Sequence, residues 1–271
     1  MTVNLRDDNC GEVKVPINPS RIVSLSPAIT ETLFSLGCGN KVVGVTPYCV
    51  RPPAATKIKK IASYGYARTD LLRELEPDLI LTVTGYQDKV ANELKKNFEV
   101  YSFRLPATLS GVIDLFVKVG LVTGRLDEGR QLARDMLSRI NLLRLENIGS
   151  AYIELDLGGP VTFGSLSYIT DVLAFVGLKN IYGEFQKEWI TPDFDLVAKK
   201  DPDIIILEPK MFSKRDENYV DKIVSERGWS GIKSHRNKHI YVTPGTNDFF
   251  AHHGPSLITE VLPWLKEQLT R

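Results

Sequence analysis

The fold is decided by a twelve-residue stretch that occurs twice, first as Asp70-Leu-Leu-Arg-Glu-Leu-Glu-Pro-Asp-Leu-Ile-Leu81 and again as Asp195-Leu-Val-Ala-Lys-Lys-Asp-Pro-Asp-Ile-Ile-Ile206. The copies begin at positions 70 and 195, 125 residues apart, and five of their twelve positions are identical. In each copy a short helical segment is stopped by a proline, which disfavours helical geometry in the residue before it. A wholly apolar run follows, as is typical of a strand buried on both faces of a parallel sheet. The stretch therefore predicts the same helix–strand unit in both halves.

A second pair of similar stretches lies upstream of these copies. It consists of Thr30-Glu-Thr-Leu-Phe-Ser-Leu-Gly-Cys-Gly-Asn40 and Thr170-Asp-Val-Leu-Ala-Phe-Val-Gly-Leu-Lys-Asn180, which are offset by 140 positions. Each predicts a helix that ends at a glycine and leads toward another strand. Two similar pairs in the same order indicate an internal duplication. The two offsets differ by 15, and the Pro-rich loop at residues 47–63 accounts for the extra residues of the first half.

Residues 127–148, between the copies, form an amphipathic pattern. Apolar side chains recur at the spacing of one helix face, at Leu132, Ala133, Met136, Leu137, Ile140 and Leu143. The pattern predicts one helix of about 22 residues, roughly 33 Å long at ~1.5 Å per residue. Such a helix could lie at the periphery of one large domain, but the duplication favours a connection between two similar lobes. We expect an N-terminal α/β lobe at 1–108, a linker with the backbone helix at 109–148, and a C-terminal α/β lobe at 149–271.

The alternation of strands and helices predicts an α/β fold whose two sheets are mostly parallel. In such sheets ligands bind beyond the carboxyl ends of the strands. Aromatic residues are frequent after the predicted strands, at Tyr48, Tyr64, Tyr66, Tyr86, Phe163, Trp189 and Phe249. They are either core side chains or the walls of a ligand cleft into which the two edges face.

Composition excludes several classes of function. The net charge is +1 and there is no long basic run, so a nucleic-acid or anionic-membrane surface is not indicated. No apolar run approaches the ~18 residues of a membrane span. The three cysteines allow one disulfide with three possible pairings, or three free thiols, which we favour. The N-terminus has no signal-peptide pattern, so the protein is either cytosolic or has lost a leader.

A family resemblance covers essentially the whole chain. It rests on Asp7-Asp-Asn-Cys-Gly-Glu-Val-Lys-Val-Pro16, on Arg21-Ile-Val-Ser-Leu-Ser-Pro-Ala-Ile-Thr-Glu31, on the two Pro-Asp-apolar runs, and on Trp229-Ser-Gly-Ile-Lys233 leading to His239-Ile-Tyr-Val242. In their order and spacing these stretches resemble the substrate-binding proteins of ABC importers, in the class that carries cobalamin, ferric siderophores or haem. The resemblance implies two lobes on a single helical backbone.

Within that class the chain is most similar to the cobalamin-binding members. The loop Tyr48-Cys-Val-Arg-Pro-Pro-Ala54 resembles their first-lobe ligand loop, and Trp189 falls on one of their ligand tryptophans. Tyr64 and Phe249 stand where those members have tryptophan, so a ferric siderophore or haem remains the alternative ligand. Together the strand-edge pattern and the resemblance give the candidate ligand-binding residues, which are Tyr48, Tyr64, Tyr66, Tyr86, Phe163, Trp189, Asp248, Phe249 and His252. Either His252 or His253 could also be an axial ligand to a bound metal, or a solvated loop histidine.

The resemblance also implies a partner and a location. In the cobalamin-binding relatives an acidic residue in each lobe docks onto arginines of the permease dimer, and Asp70 and Asp195 stand at the matching places. The plain alternative is that these aspartates only cap their helices. We expect an extracytoplasmic protein, in the periplasm or tethered to the outer cell surface, whose leader is absent from this chain, and which acts as a monomer without a resident cofactor.

An enzyme is the rival class of function. The sequence has no GxSxG elbow, P-loop, HExxH motif or GxGxxG after a strand. A metal chelatase also has two α/β lobes and could use His252 or His253 with Glu208. A third alternative is a binding module that serves no transporter.

Overall fold

A computed structural model describes residues 1–63, 65–214 and 216–270 of the chain. The chain divides into two compact units. The first comprises Met1–Pro106, Val112–Ser138 and His253–Pro255, and the second comprises Ala107–Gly111, Arg139–His252 and Ser256–Arg271. The lobe boundaries predicted from the sequence stay a prediction.

The first unit is built on a four-stranded, wholly parallel sheet. Its elements are β1 (Thr2–Arg6), β2 (Glu12–Pro16), β3 (Ile22–Ser24), α1 (Pro27–Ser35), β4 (Val42–Val45), α2 (Thr69–Leu75), β5 (Leu79–Val83), α3 (Asp88–Leu94) and β6 (Val100–Phe103). The strand order is β4-β3-β5-β6. The strands β1 and β2 form a separate antiparallel hairpin.

The sheet of the first unit is buried on both faces, as its apolar runs predict. Because successive strand residues point to opposite faces, Ile22 and Leu81 belong to one core cluster whereas Val23 and Ile80 belong to another. Buried side chains of α1 and the hairpin, together with Leu115, Val119 and Val122, complete the first cluster, and those of α2 and α3 complete the second.

Two helices, α4 (Leu109–Val122) and α5 (Leu126–Asn141), follow β6. Helix α4 lies within the predicted linker, but the prediction of one helix over 127–148 is wrong, because α5 ends at Asn141. The last turn closes with bonds from the Leu142 and Leu143 N–H groups to carbonyls three residues back. Ile148 then donates its N–H to the Gly177 carbonyl at 2.9 Å, so a tertiary contact takes the following residues out of the helix.

Helices α4 and α5 approach each other most closely at two glycines. A Cβ on Gly120 would lie 2.5 Å from the Arg125 carbonyl oxygen, and a Cβ on Gly129 would lie 2.9 Å from that of Phe116. Both distances are too short for a contact between a Cβ atom and a carbonyl oxygen, so a side chain at either position would force the helices to shift. The turn between the helices passes through Gly124, whose φ of +70° favours glycine.

The second unit carries a six-stranded sheet. Its elements are β7 (Gly149–Asp156), β8 (Pro160–Phe163), α6 (Tyr168–Phe175), β9 (Leu178–Asn180), β10 (Trp189–Ile190), α7 (Phe194–Lys200), β11 (Ile204–Glu208), α8 (Tyr219–Glu226), α9 (Lys233–Arg236), β12 (Ile240–Val242) and α10 (Leu262–Thr270). Strands β9, β7, β11 and β12 are parallel, and β8 and β10 add an antiparallel edge beside β7. A π-helical turn at Leu257–Val261 precedes α10.

The predicted duplication is visible in the topology. The order β4-β3-β5-β6 of the first unit recurs in the second as β9-β7-β11-β12. The repeated helices α2 and α7 are each seven residues long. Each ends at an acidic residue in the left-handed conformation, Glu76 with φ 42° and Asp201 with φ 45°.

The three cysteines are free, as favoured from the sequence. Among the helices that the structure describes, none combines the length and the apolar character that a membrane crossing requires.

Candidate functional site

The candidate tyrosines of the first unit follow strand ends. Tyr48 comes three residues after β4 and Tyr86 three residues after β5, and both are half-buried. Tyr66 is 60% exposed, and its carbonyl accepts the Ser63 N–H at 2.8 Å. Because β4 and β5 run parallel in one sheet, Tyr48 and Tyr86 lie at the same, carboxyl edge. Tyr64 lies outside the described residues.

The loop that bears Tyr48 is anchored by its neighbour Cys49. The buried thiol receives a hydrogen bond from the Thr30 hydroxyl at 3.1 Å and lies 3.2 Å from that of Thr46. Burial raises the pKa of the Cys49 thiol, so it stays protonated and behaves as a small core group. The backbone at Tyr48 is thereby fixed against the core.

The loop that bears Tyr86 is anchored in a similar way by Gln87. Its buried amide donates to the Leu25 carbonyl at 2.7 Å and accepts the Val83 N–H at 3.0 Å. One side chain therefore joins the ends of β3 and β5 directly beside Tyr86. This role was not predicted, because a glutamine beside a strand end is usually solvated.

In the second unit the structure brings Phe163 and Trp189 together. They are register partners on the antiparallel strands β8 and β10, so their side chains share a face of the sheet. Phe163 is buried, whereas Trp189 remains 42% exposed. Trp189 thus presents a large aromatic surface from strand β10, while Phe163 on the same face is covered by the protein.

Asp248 and Phe249 lie in the loop after β12, which is held by Glu208 at the end of β11. The buried Glu208 carboxylate accepts the N–H groups of Phe249 at 3.0 Å, Phe250 at 2.5 Å and Ala251 at 3.4 Å. Burial raises the pKa of Glu208 to about 7, and the negative charge of Asp248 adds to the rise. The Phe249 ring is itself buried and packs edge-on against Trp264 at 5.5 Å between centroids.

The interpretation of His252 and His253 as solvated loop residues is wrong, because each is only 3% exposed. Their side chains are enclosed by the protein at the end of this loop. A role of His252 toward the ligand stays a prediction. No group of three or more potential metal-ligating side chains occurs in the part of the chain that the structure describes.

A buried charge cluster in the second unit escaped the sequence analysis. Glu154 on β7 forms a two-pronged ion pair with Arg227, at 2.7 and 2.8 Å, and accepts the Tyr152 hydroxyl at 2.6 Å. The Arg227 guanidinium also lies 3.9 Å from the centre of the Phe194 ring, at the start of α7. An acidic residue inside the apolar run of β7 was the available signal, since a buried carboxylate needs a partner.

The two candidate docking residues occupy equivalent positions. Asp70 and Asp195 are the second residues of α2 and α7, and both are exposed. Neither aspartate is the N-cap residue itself: Arg68 precedes α2, and Asp193 caps α7 by accepting the N–H groups of Asp195 and Leu196. Both aspartates lie in the first turn, where the helix dipole favours a negative charge, as the plain interpretation expects. Asp70 pairs with Arg68 at 2.9 Å, which lowers the pKa of Asp70.

Comparisons with known proteins agree with this architecture. Residues 22–246 match the family described as "Periplasmic binding protein". The chain is 25% identical over 276 residues to an uncharacterised ABC transporter substrate-binding lipoprotein, YvrC, of Bacillus subtilis (strain 168), covering 96% of this chain and 83% of the relative. It is 24% identical over 243 residues to the vitamin B12-binding protein of Salmonella paratyphi A, covering 88% and 86% respectively.

The fold is shared with a solved structure described as a possible iron-binding (periplasmic solute-binding) protein from Staphylococcus epidermidis. The TM-score is 0.78 at 24% sequence identity, and the match covers 94% of this chain and 100% of that one. The expected α/β class, with two similar lobes whose sheets are mostly parallel, is confirmed by this match.

Proposed function

Because the chain belongs to the family of periplasmic binding proteins, we propose that it captures cobalamin or a related corrinoid and delivers it to the permease of an ABC importer. The coarser part of this function follows from the family: the chain is an extracytoplasmic substrate-binding protein of an ABC importer, and it is not an enzyme. The rival interpretation as a metal chelatase is therefore wrong.

The observation that carries the choice of ligand is the aromatic edge of each sheet. A corrin ring is broad and largely apolar, and aromatic side chains bury a large area while losing few rotamers. Trp189 and Tyr48 offer such surfaces from anchored backbone, in the second and the first unit respectively. The identity to the vitamin B12-binding protein of Salmonella paratyphi A also favours a corrinoid.

Within this proposal the ligand is bound by the residues that the sequence identifies. Tyr48, Tyr66, Tyr86 and Trp189 have exposed surface for direct contact. Phe163, Phe249 and His252 are buried, so they support the binding surface from behind, and Asp248 supplies a polar group at its margin. Tyr64 keeps its predicted contact role.

A ferric siderophore or haem is the second candidate ligand. It is favoured by the fold shared with the possible iron-binding protein from Staphylococcus epidermidis. It is also favoured by Phe249 and Tyr64, where cobalamin-binding relatives have tryptophan.

The test is stoichiometric binding followed by absorption spectroscopy. The protein is incubated separately with cyanocobalamin, haemin and a ferric hydroxamate siderophore, desalted, and its spectrum recorded. The proposal expects one equivalent of cobalamin to be retained. Retention of an iron complex alone would identify the second candidate as the ligand. Retention of none of the three compounds would refute both candidate ligands.

We further propose that Asp70 and Asp195 dock the protein onto the permease dimer. Their equivalent places on duplicated helices suit a partner with two-fold symmetry. Asp70 would exchange its exposed pair with Arg68 for a permease cation, which costs little because solvent screens an exposed ion pair. The protein is expected to do this as a monomer.

A further inference from the structure

The Glu208 carboxylate is a buried charge with an unusual set of partners. It lies at the carboxyl end of β11, only 3% exposed. The hydrogen bonds to its oxygens come from three consecutive backbone N–H groups, those of residues 249–251. A charged group removed from water costs several kcal/mol unless its oxygens are satisfied. The three N–H groups offset part of that cost, so the carboxylate and the loop depend on each other.

A second side chain holds the same segment from another element. The hydroxyl of Tyr168, the first residue of α6, donates to the Phe250 carbonyl at 2.6 Å. Both backbone polar groups of Phe250 are therefore engaged by side chains, Glu208 at its N–H and Tyr168 at its carbonyl. The Phe250 ring packs edge-on against Trp264 with 6.2 Å between centroids. Such a segment has little freedom left.

This segment includes the candidate ligand residue Phe249 and directly follows the candidate residue Asp248. We propose that Glu208 is a positioning residue for ligand binding, whose carboxylate fixes the backbone of residues 249–251 and thereby the placement of Asp248 and Phe249. The inference rests on the proposed function of that pair. It assigns to Glu208 a role that needs no contact with the ligand.

The substitution Glu208→Gln distinguishes a positioning role of Glu208 from a role in packing alone. Glutamine has almost the same shape, but it presents an NH₂ group in place of one oxygen. If the remaining oxygen serves Phe249 and Ala251, the NH₂ group faces the Phe250 N–H, and two donors meet. Hydrogen bonds to a charged acceptor are also about twice as strong as neutral ones.

Glu154→Gln is the matched control. It also removes a buried carboxylate from a strand of the same sheet, and it leaves Arg227 without its charged partner. It touches none of the three N–H groups of the loop. Any general loss of stability should therefore occur in both variants, whereas a specific effect on the loop should occur only in Glu208→Gln.

The first measurement needs no ligand. Amide hydrogen exchange is followed by NMR at about pH 8, where the Glu208 carboxylate is mostly ionised. We expect exchange at Phe249, Phe250 and Ala251 to accelerate at least tenfold in Glu208→Gln relative to Glu154→Gln. Equal exchange in the two variants would overturn the inference, whatever the ligand is.

The second measurement is the dissociation constant for cyanocobalamin, or for whichever probe the unaltered protein retains. We expect it to rise about tenfold in Glu208→Gln and to change less than twofold in Glu154→Gln. Faster exchange with unchanged affinity would reduce Glu208 to a structural residue and overturn the inference. Failure of the unaltered protein to retain any probe would instead refute the proposed function. The hydrogen-exchange data would still test whether Glu208 fixes the backbone of residues 249–251.

If Glu208→Gln does not fold, Tyr168→Phe replaces it. This variant removes only the hydroxyl that holds the Phe250 carbonyl. Accelerated exchange at Phe250 with weaker binding would support the positioning role of the segment. Accelerated exchange with unchanged affinity would contradict it.

Discussion

Asp203 accepts two hydrogen bonds from Ser150, one from its backbone N–H at 2.8 Å and one from its hydroxyl at 2.7 Å. This pairing ties the residue before β11 to the second residue of β7. The first unit repeats it, because Asp78 accepts the N–H and the hydroxyl of Ser20 at 2.7 and 2.9 Å beside β5 and β3. The Pro-Asp of each repeated stretch therefore has a physical task, which is to pin the starts of two neighbouring parallel strands.

Asp203→Asn should lower the free energy of unfolding by about 1 kcal/mol near neutral pH, since it weakens charge-assisted bonds to Ser150 and Lys233. The Ser150 N–H, followed by Lys233 and the Ser150 hydroxyl, lowers the pKa of Asp203 to about 2. A lowered pKa stabilises the fold above the unfolded value near ~3.9 and loses that effect as the pH falls through about 2. The side chain is 36% exposed, so solvent screening keeps the effect small.

Urea unfolding at a series of pH values measures this difference. The gap between Asp203→Asn and the unaltered protein should narrow between about pH 4 and pH 2. Asp221→Asn, at an exposed position on α8, is the control and should stay within about 0.5 kcal/mol of the unaltered protein. A gap that stays constant down to about pH 2 would show that the charge of Asp203 does not matter.

Glu76→Gly should raise the free energy of unfolding by about 0.5–1 kcal/mol. Glu76 ends α2 with a φ of 42°, a conformation that is strained for residues with a Cβ and natural for glycine. The equivalent change Asp201→Gly should give no such gain, because the Asp201 carboxylate accepts the Lys233 N–H at 2.6 Å and this bond would be lost. Chemical unfolding of both variants tests the contrast, and an equal gain in the two would refute it.

Trp189→Ala should weaken binding of the retained ligand by about 1–3 kcal/mol, the usual loss for a large aromatic at the centre of an interface. Isothermal calorimetry measures the change. Phe185→Ala is the matched control, since Phe185 is also 42% exposed in the same unit but is not a candidate ligand residue. Unchanged affinity in Trp189→Ala, with the fold intact by circular dichroism, would remove Trp189 from the ligand contacts.

The double change Asp70→Arg with Asp195→Arg should abolish uptake while leaving the affinity for ligand in solution intact. Losing one partner of a desolvated interfacial ion pair costs about 2–5 kcal/mol, and both lobes would lose theirs. Glu93→Arg with Asp221→Arg makes the same change in net charge at other exposed helix positions and should transport normally. Transport and ATPase stimulation at the level of the unaltered protein in the first variant would mean that the two aspartates do not dock.

Local patterns were enough to predict much of this fold. The repeated stretch predicts α2 with β5 and α7 with β11, because a helix stop followed by an apolar run has few other solutions. The expectation that aromatic residues follow the strands holds for Tyr48 and Tyr86, whereas Phe163 and Trp189 lie within β8 and β10. The end of α5 was mispredicted. The spacing of Leu143 suits a continued helix, but the Ile148 N–H bonds to the Gly177 carbonyl instead of to a helix carbonyl. A local sequence pattern carries no information about a tertiary hydrogen bond that replaces a helical one.

The polar side chains that anchor the loops of the candidate site could not be predicted from the sequence either. Glu208 is 41 residues from Phe249, and Gln87 is 62 residues from Leu25. Glu154 lies 73 residues from Arg227. Each of these side chains is polar and was open to assignment as solvated. Only the packed structure shows which distant group satisfies it.

The repeated strand order has a consequence for how the chain folds as it is synthesised. The contacts that pin the strand starts span 58 residues in the first half and 53 in the second. Since loop-closure entropy grows with the logarithm of length, the two closures differ by less than about 0.1 kcal/mol. All strands of the first sheet, through β6, are complete by Phe103, before any residue of β7 exists. The N-terminal half therefore has what it needs to begin folding on the ribosome, without waiting for the half that copies it.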